Sequence, residues 1–298
     1  MSNANTLERP SASAGQLAAE LKELISLPDV YLRLQQVMRS DEASMDKVAE
    51  VLTLDPALVA RLLRIANNAL YSFPSRVDTV SRAVNILGVR QVHDLVLATS
   101  VAKAFAGMDN AVLDMRTFWY RSVQCGILAR TLAEGAGMKG GESLFVRGLL
   151  YDLGHLVLYH HYPEQCRAAL AESGGEYGAL TQAERRIMQH HAIAGYVLLS
   201  YYLQDSQHTT SIVARDHHER KDGSGYPYGL QGDDILLEAR VIGVADVIEA
   251  MASHRPYRPA LGIDDASEEL TTTSGIINDP EVVNVAGALF TKQGDTRQ

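Results

Sequence analysis

The run SLFVRGLLYDLGHLVLYHHY, Ser143–Tyr162, decides the fold. Its apolar residues fall on several helical faces instead of one stripe, which places it at the centre of a core and not on a surface. Asp152 and His155 stand inside it. A carboxylate taken out of water without a partner is costly, so Asp152 must meet a cation, a metal or a full set of donors.

On both sides the periodicity stays helical. Downstream, Glu184 to Leu203 reads as a long helix carrying His190 and His191, after a loop at Gly174 and Gly175. Upstream, FWYRSVQCGILARTLAEGAG, Phe118–Gly137, is an amphipathic helix ending at glycine, in a block that starts near Met115. Earlier still, Leu27-Pro28 breaks a first helix, Ser44 precedes MDKVAEVLTL with Val48, Val51 and Leu52 at helical spacing, and Asp55-Pro56 supplies an N-cap with proline in the first turn. A loop around Pro74 comes next, then Thr79 or Ser81 opens RAVNILG, and Gly88 closes it. No run alternates with period two, so no strand is expected and the fold class is all-α, a two-lobed helical bundle. The expected division is a disordered leader over residues 1–15, an N-terminal helical lobe over 16–112, a second helical lobe over 113–262, and a tail over 263–298 that is more polar and less patterned.

Composition narrows the function classes. Apolar residues make up 46% of the 298-residue chain, an ordinary share for a protein with a real core. The 27 Lys and Arg against 36 Asp and Glu leave a net charge of −9, which argues against nonspecific nucleic-acid binding. Cys125 and Cys166 lie in apolar helical patterns and read as reduced core cysteines. No apolar run approaches the roughly 20 residues of a membrane span. A cytoplasmic location and no membrane partner are the expectations.

The chemistry gathers in HHERKDGSGYPYGLQGDDILLEARVIGVADVIEAMASHRPYR, His217–Arg258. Asp246 is the one ionisable residue in VIGVADVI and poses the same burial problem as Asp152. Paired imidazoles at His217 and His218, with His191 and the two aspartates, suit zinc, iron or manganese, all of which accept imidazole with carboxylate. Gly223, Gly225 and Pro227 set a tight turn around Tyr226 whatever binds there. Arg255 and Arg258 suit an anion, because a guanidinium donates to phosphate in a planar fork.

These segments carry two resemblances. LPDVYLRLQQVM, LTLDPALVARLLRIANNALY and VSRAVNILGVRQVHDLVLATSV resemble the HDOD family over roughly Leu27 to Leu203: a Leu-Pro start, an Asp-Pro helix, the Asn67-Asn68 pair, and a helix ending in Leu-Gly. The amides of that pair read as satisfying backbone groups at a helix end, and His93 as a packed histidine. The segment from His217 resembles the HD-GYP family of metal-dependent cyclic-dinucleotide phosphodiesterases. That resemblance implies Asp152, His191, His217, His218 and Asp246 as metal ligands, with Tyr226, Arg255 and Arg258 facing the substrate phosphate.

The chain also departs from that pattern. The signature His-Asp-x-Gly-Lys reads Tyr151-Asp152-Leu153-Gly154-His155. A neutral phenol is a poor ligand for a divalent metal. His155 replaces the lysine that the family uses at the phosphate, and Arg121 stands where a ligand histidine is implied, bringing a positive charge. The function expected is therefore a bacterial signal-transduction protein with a degenerate metal and nucleotide site and little catalysis. The alternative is a metal-dependent phosphodiesterase acting on cyclic di-GMP or a related nucleotide, and a third reading is an adaptor with an empty pocket. The cofactor is a divalent transition metal (Fe, Mn or Zn), or none if the site is decayed. The partner is a signalling protein or a cyclic nucleotide, and a homodimer is compatible with the sequence.

Overall fold

The computed structural model describes residues 29–40, 44–67, 76–105, 114–172, 182–253 and 260–295. The expected leader, Pro74, Gly174 and Gly175, and the second asparagine, Asn68, lie outside them. Among the described residues the secondary structure is helical, with two isolated bridges, Asp222 to Gln231 and Ser274 to Asn278, and no strand. No described helix is long and apolar enough to cross a membrane. The chain divides into two compact units, one of them Ile25–Met108 and the other containing Asp109–Gln298.

The first unit holds α1 (Asp29–Arg39), α2 (Met45–Thr53), α3 (Pro56–Ala66), α4 (Val80–Leu87) and α5 (Val89–Phe105). Its caps are the ones written in the sequence. The Ser44 hydroxyl accepts from the Lys47 amide, the Asp55 carboxylate from Ala57 at 2.9 Å and Leu58 at 3.0 Å, and Thr79, not Ser81, caps α4. The Asn67 amide donates to the Leu63 and Val77 carbonyls and accepts from the Val77 amide at 2.7 Å, so it ties the end of α3 to the chain ten residues on. His93 is buried and stacks on Tyr31, ring centroids 5.2 Å apart.

The second unit begins with α6 (Met115–Gly135), capped by Asp114, and α7 (Gly141–Leu150). These two helices pack with glycine on both sides: a Cβ on Gly148 would stand 2.5 Å from the Gly126 Cα. Then come α8 (Gly154–His161), α9 (Pro163–Glu172), α10 (Gln182–Leu203), α11 (Thr209–Asp216), a short 3₁₀ turn at Gly232–Asp234, α12 (Leu237–Ala252), α13 (Ile263–Thr273) and α14 (Pro280–Asp295). The apolar run from Ser143 is thus two helices, α7 and α8, broken at Tyr151–Leu153. Its residues Leu144, Val146, Leu150, Leu153, Leu156 and Val157 are buried, as an all-round apolar pattern requires. The residues from Ile263, which carry a weak pattern, form α13 and α14, and their Leu270, Val282, Val283 and Ala286 join the same core as Leu132 and Ile242. Cys125 and Cys166 are buried free thiols.

Candidate metal site in the second unit

Three close approaches of backbone to backbone bring the polar residues together. Gly154 opens α8 against α10 so tightly that a Cβ there would lie 1.8 Å from the His191 carbonyl oxygen and 2.6 Å from the Gly195 nitrogen. Only glycine permits this, and it delivers Asp152 and His155 to His191. Gly243 does the same for α12, where a Cβ would stand 2.8 Å from the His217 carbonyl oxygen. Asp246 comes three residues later, on the same helix face. Gly225, in the turn after the paired histidines, would place a Cβ 2.4 Å from the Arg220 nitrogen.

The histidines are held in one tautomer. His191 Nδ1 lies 2.6 Å from the Met188 carbonyl and His217 Nδ1 lies 3.0 Å from the Ala214 carbonyl. A carbonyl only accepts, so each Nδ1 carries the proton and each Nε2 presents a lone pair. The two Nε2 atoms face each other at 3.2 Å. Burial, reinforced by neighbouring imidazoles, pushes His191 and His218 well below the ordinary histidine range, and burial also lowers His217. Neutral rings with converging lone pairs repel unless a cation stands between them, and backbone-anchored Nδ1–H groups are the usual outer support of a metal-ligating histidine. The donor set therefore fits a divalent transition metal.

Two ligand groups meet at His191. One is His191, His217 and His218; the other is Asp152, His155 and His191, and within each group the candidate atoms lie within 4.8 Å of one another. Asp152 Oδ1 is 3.7 Å from His191 Nε2 and in direct contact with His155 Nδ1. Burial pushes the Asp152 carboxyl up, but His155, His191 and His217 outweigh it and hold the group well below the usual carboxylate range. The ring of His155 stacks on His191 at 4.0 Å. His155, read from the sequence as a phosphate contact, thus stands among the ligand-type residues.

Asp246 belongs to neither group. The Tyr151 hydroxyl donates to its Oδ1 at 2.7 Å. Burial, then the Asp246 charge, raises the Tyr151 phenol far above its ordinary value and keeps it a donor; Cys125, hydrogen-bonded to Tyr151, is raised by the same causes. Asp246 itself is half-buried, less enclosed than its apolar neighbours in the sequence suggest. Arg121 points its Nε at buried Glu249, 3.8 Å away, so its charge faces a carboxylate.

The Gly-rich turn is tied back onto the histidines. Tyr226 donates its amide to the His218 carbonyl at 3.2 Å and stacks its ring on the His218 imidazole, centroids 4.7 Å apart. Glu219, 5% exposed, accepts from the Tyr228 amide at 2.7 Å and the Leu230 amide at 2.9 Å. Sequence reasoning passed over Glu219; the signal was a carboxylate just before a Gly-rich turn whose amides need an acceptor. Arg255 and Arg258 lie outside the described residues.

Comparison with known proteins agrees with this picture at the level of family. The chain is 44% identical over 107 residues to the cyclic di-GMP phosphodiesterase response regulator RpfG of Xanthomonas campestris, an alignment covering 36% of this chain and 28% of that protein. It is 26% identical over 278 residues to the 3'3'-cGAMP-specific phosphodiesterase 3 of Vibrio cholerae, covering 92% of this chain and 57% of the relative. The chain thus spans less than two thirds of either relative. Among solved structures, an HDOD domain protein with unknown function from Geobacter sulfurreducens superposes with a TM-score of 0.62 at 21% identity, covering 94% of this chain and 95% of that one. The HDOD domain model matches residues 24–218, about two thirds of the sequence, and with the all-α architecture this places the chain in the HDOD family.

Proposed function

We propose that this HDOD protein is a signalling module that holds a divalent transition metal (iron, manganese or zinc) and binds a cyclic dinucleotide beside it, with little or no hydrolysis. The single observation that carries the reading is the pair of Nε2 lone pairs facing each other at 3.2 Å, while the Asp246 carboxylate is engaged by Tyr151. Asp152, His191, His217 and His218 would hold the metal, and Asp246 has only its second oxygen to offer. Bound there, a metal supplies Lewis-acid polarisation of a phosphoryl oxygen.

The chain's own residues favour binding over turnover. Tyr226 stacks on His218 and borders the place where a phosphate would lie. Arg255 and Arg258 would add charge to it. A hydrolase also needs a second position from which a nucleophile is aligned; where the resemblance implies a histidine ligand for it, this chain has Tyr151, whose hydroxyl donates to Asp246. The missing ligand costs on the order of a thousandfold or more in rate. The test is metal analysis of the purified chain, then cyclic di-GMP hydrolysis in the metal-loaded protein. Bound metal with no measurable turnover is expected. Turnover on the order of 1 per second, abolished by Asp246→Ala, would overturn the binding-module reading.

A second reading, a working phosphodiesterase, is favoured by one observation: the Xanthomonas and Vibrio relatives both carry that activity in their names. Tyr151→His separates the two. In a binding module it raises a trace activity; in a working hydrolase it has nothing to restore.

A further inference from the structure

The turn after the paired histidines places a second aromatic ring in an unusual position. Tyr228 is 60% exposed, yet it is not a loose side chain. Its amide is anchored to Glu219, and its ring lies against the guanidinium of Arg215, with Cζ 5.1 Å from the ring centroid. Arg215 is fixed in turn. It makes a two-pronged ion pair with buried Asp216, at 2.6 and 2.8 Å, and its guanidinium also rests on the Tyr196 ring of α10 at 5.2 Å. Tyr196, Arg215 and Tyr228 therefore form a stack whose outermost ring is open to solvent.

This stack runs alongside the one that ends the candidate metal site. Arg215 and His218 are three residues apart, about one helical turn at the end of α11. Tyr226 and Tyr228, two residues apart in the turn, cover them: Tyr226 lies over His218 and Tyr228 over Arg215. An exposed ring with its backbone tethered and a cation against it has already given up most of the freedom that a ligand would otherwise have to remove. Its outer face is an exposed stacking surface two residues along the chain from Tyr226, which covers His218. Purines stack on such rings, and arginine behind the ring adds to the attraction.

We infer that Tyr228, backed by Arg215, is the platform for a purine base of the bound cyclic dinucleotide and sets the preference for purine over pyrimidine ligands. The inference rests on the reading that the site binds a cyclic dinucleotide. It is tested on the metal-loaded full chain by calorimetric titration with cyclic di-GMP and with cyclic di-UMP. Tyr228→Leu should weaken cyclic di-GMP by about tenfold and cyclic di-UMP by less, with metal content and melting unchanged. Tyr228→Trp, which keeps a stacking face, should restore purine binding. If Tyr228→Leu binds cyclic di-GMP as the parent does, or loses its metal, Tyr228 is a staple of the turn and the platform is wrong while the binding reading stands. If the parent chain binds neither dinucleotide, the binding reading itself fails and the platform falls with it.

Discussion

Two halves of one polar cluster behave in opposite ways. His191 and His217 are neutral, anchored through Nδ1, and left with Nε2 lone pairs that converge on each other. Around Asp246 the polar atoms have closed on each other: Tyr151 donates to the carboxylate and Cys125 backs Tyr151. Both halves are built from residues that a metal site could use. The difference is which protons are present. A histidine whose donor is occupied elsewhere exposes an acceptor, whereas a tyrosine forced to keep its proton consumes one.

The contrast can be broken most directly through metal content. His217→Ala removes one of the two facing nitrogens and should lower metal retention by well over tenfold, since even outer supports of a metal ligand are worth about 10–100-fold. Asp246→Asn keeps an acceptor for Tyr151 and should retain most of the metal. Plasma emission analysis of both variants after dialysis decides it; equal losses would make Asp246 a full ligand and erase the distinction between the halves.

A smaller effect tests the closed half alone. Tyr151→Phe leaves the ring packing and deletes the bond to Asp246, so the carboxylate loses one partner. Stability should fall by about 1–3 kcal/mol in a urea titration, with metal content unchanged. A neutral outcome in stability would mean that the Tyr151 to Asp246 bond holds nothing together.

The smallest effect lies in the other unit and serves as the control. Asp55 caps α3, and Asp55→Ala should cost about 1 kcal/mol without touching the metal. The Leu58 amide, then Lys103 and the Ala57 amide, together hold the Asp55 carboxyl below its ordinary value against burial, which is second in size to the Leu58 bond and raises it. The folded state therefore prefers the ionised form, so the cap contributes fully above the ordinary carboxylate range and its contribution is lost as pH falls through the lowered value. The stability difference between parent and variant, measured by circular dichroism, should shrink in acid. A difference that grows in acid would contradict the capping role.

Much of the fold was legible without coordinates. Helix caps are local chemistry, so Ser44, Asp55 and Thr79 could be read from residue type and the three residues after each. All-round apolar character in Ser143–Tyr162 identified a core segment, and the absence of period-two runs excluded strands. Asn67 as a backbone staple was likewise readable, because an amide at a helix end has few other uses. The weakly patterned stretch from Ile263 was harder: α13 and α14 bury only a few side chains each, so their hydrophobic signal is thin although they join the core.

What the sequence determined by itself was the set of ingredients: an all-α chain of the HDOD type, with imidazoles and carboxylates set in apolar surroundings. The resemblance named Asp152, His191, His217, His218 and Asp246 as one set, but which proton stands on which atom, and which partner each side chain takes, came from tertiary structure alone. Two glycines, Gly154 and Gly243, let backbones more than twenty residues apart touch, and such a contact leaves no periodic trace in the chain. The immediate partners of His155 and Asp246 were hidden from the sequence for the same reason. A side chain's partner is set by distance in space, and here His155 found Asp152 while Tyr151 reached Asp246 first.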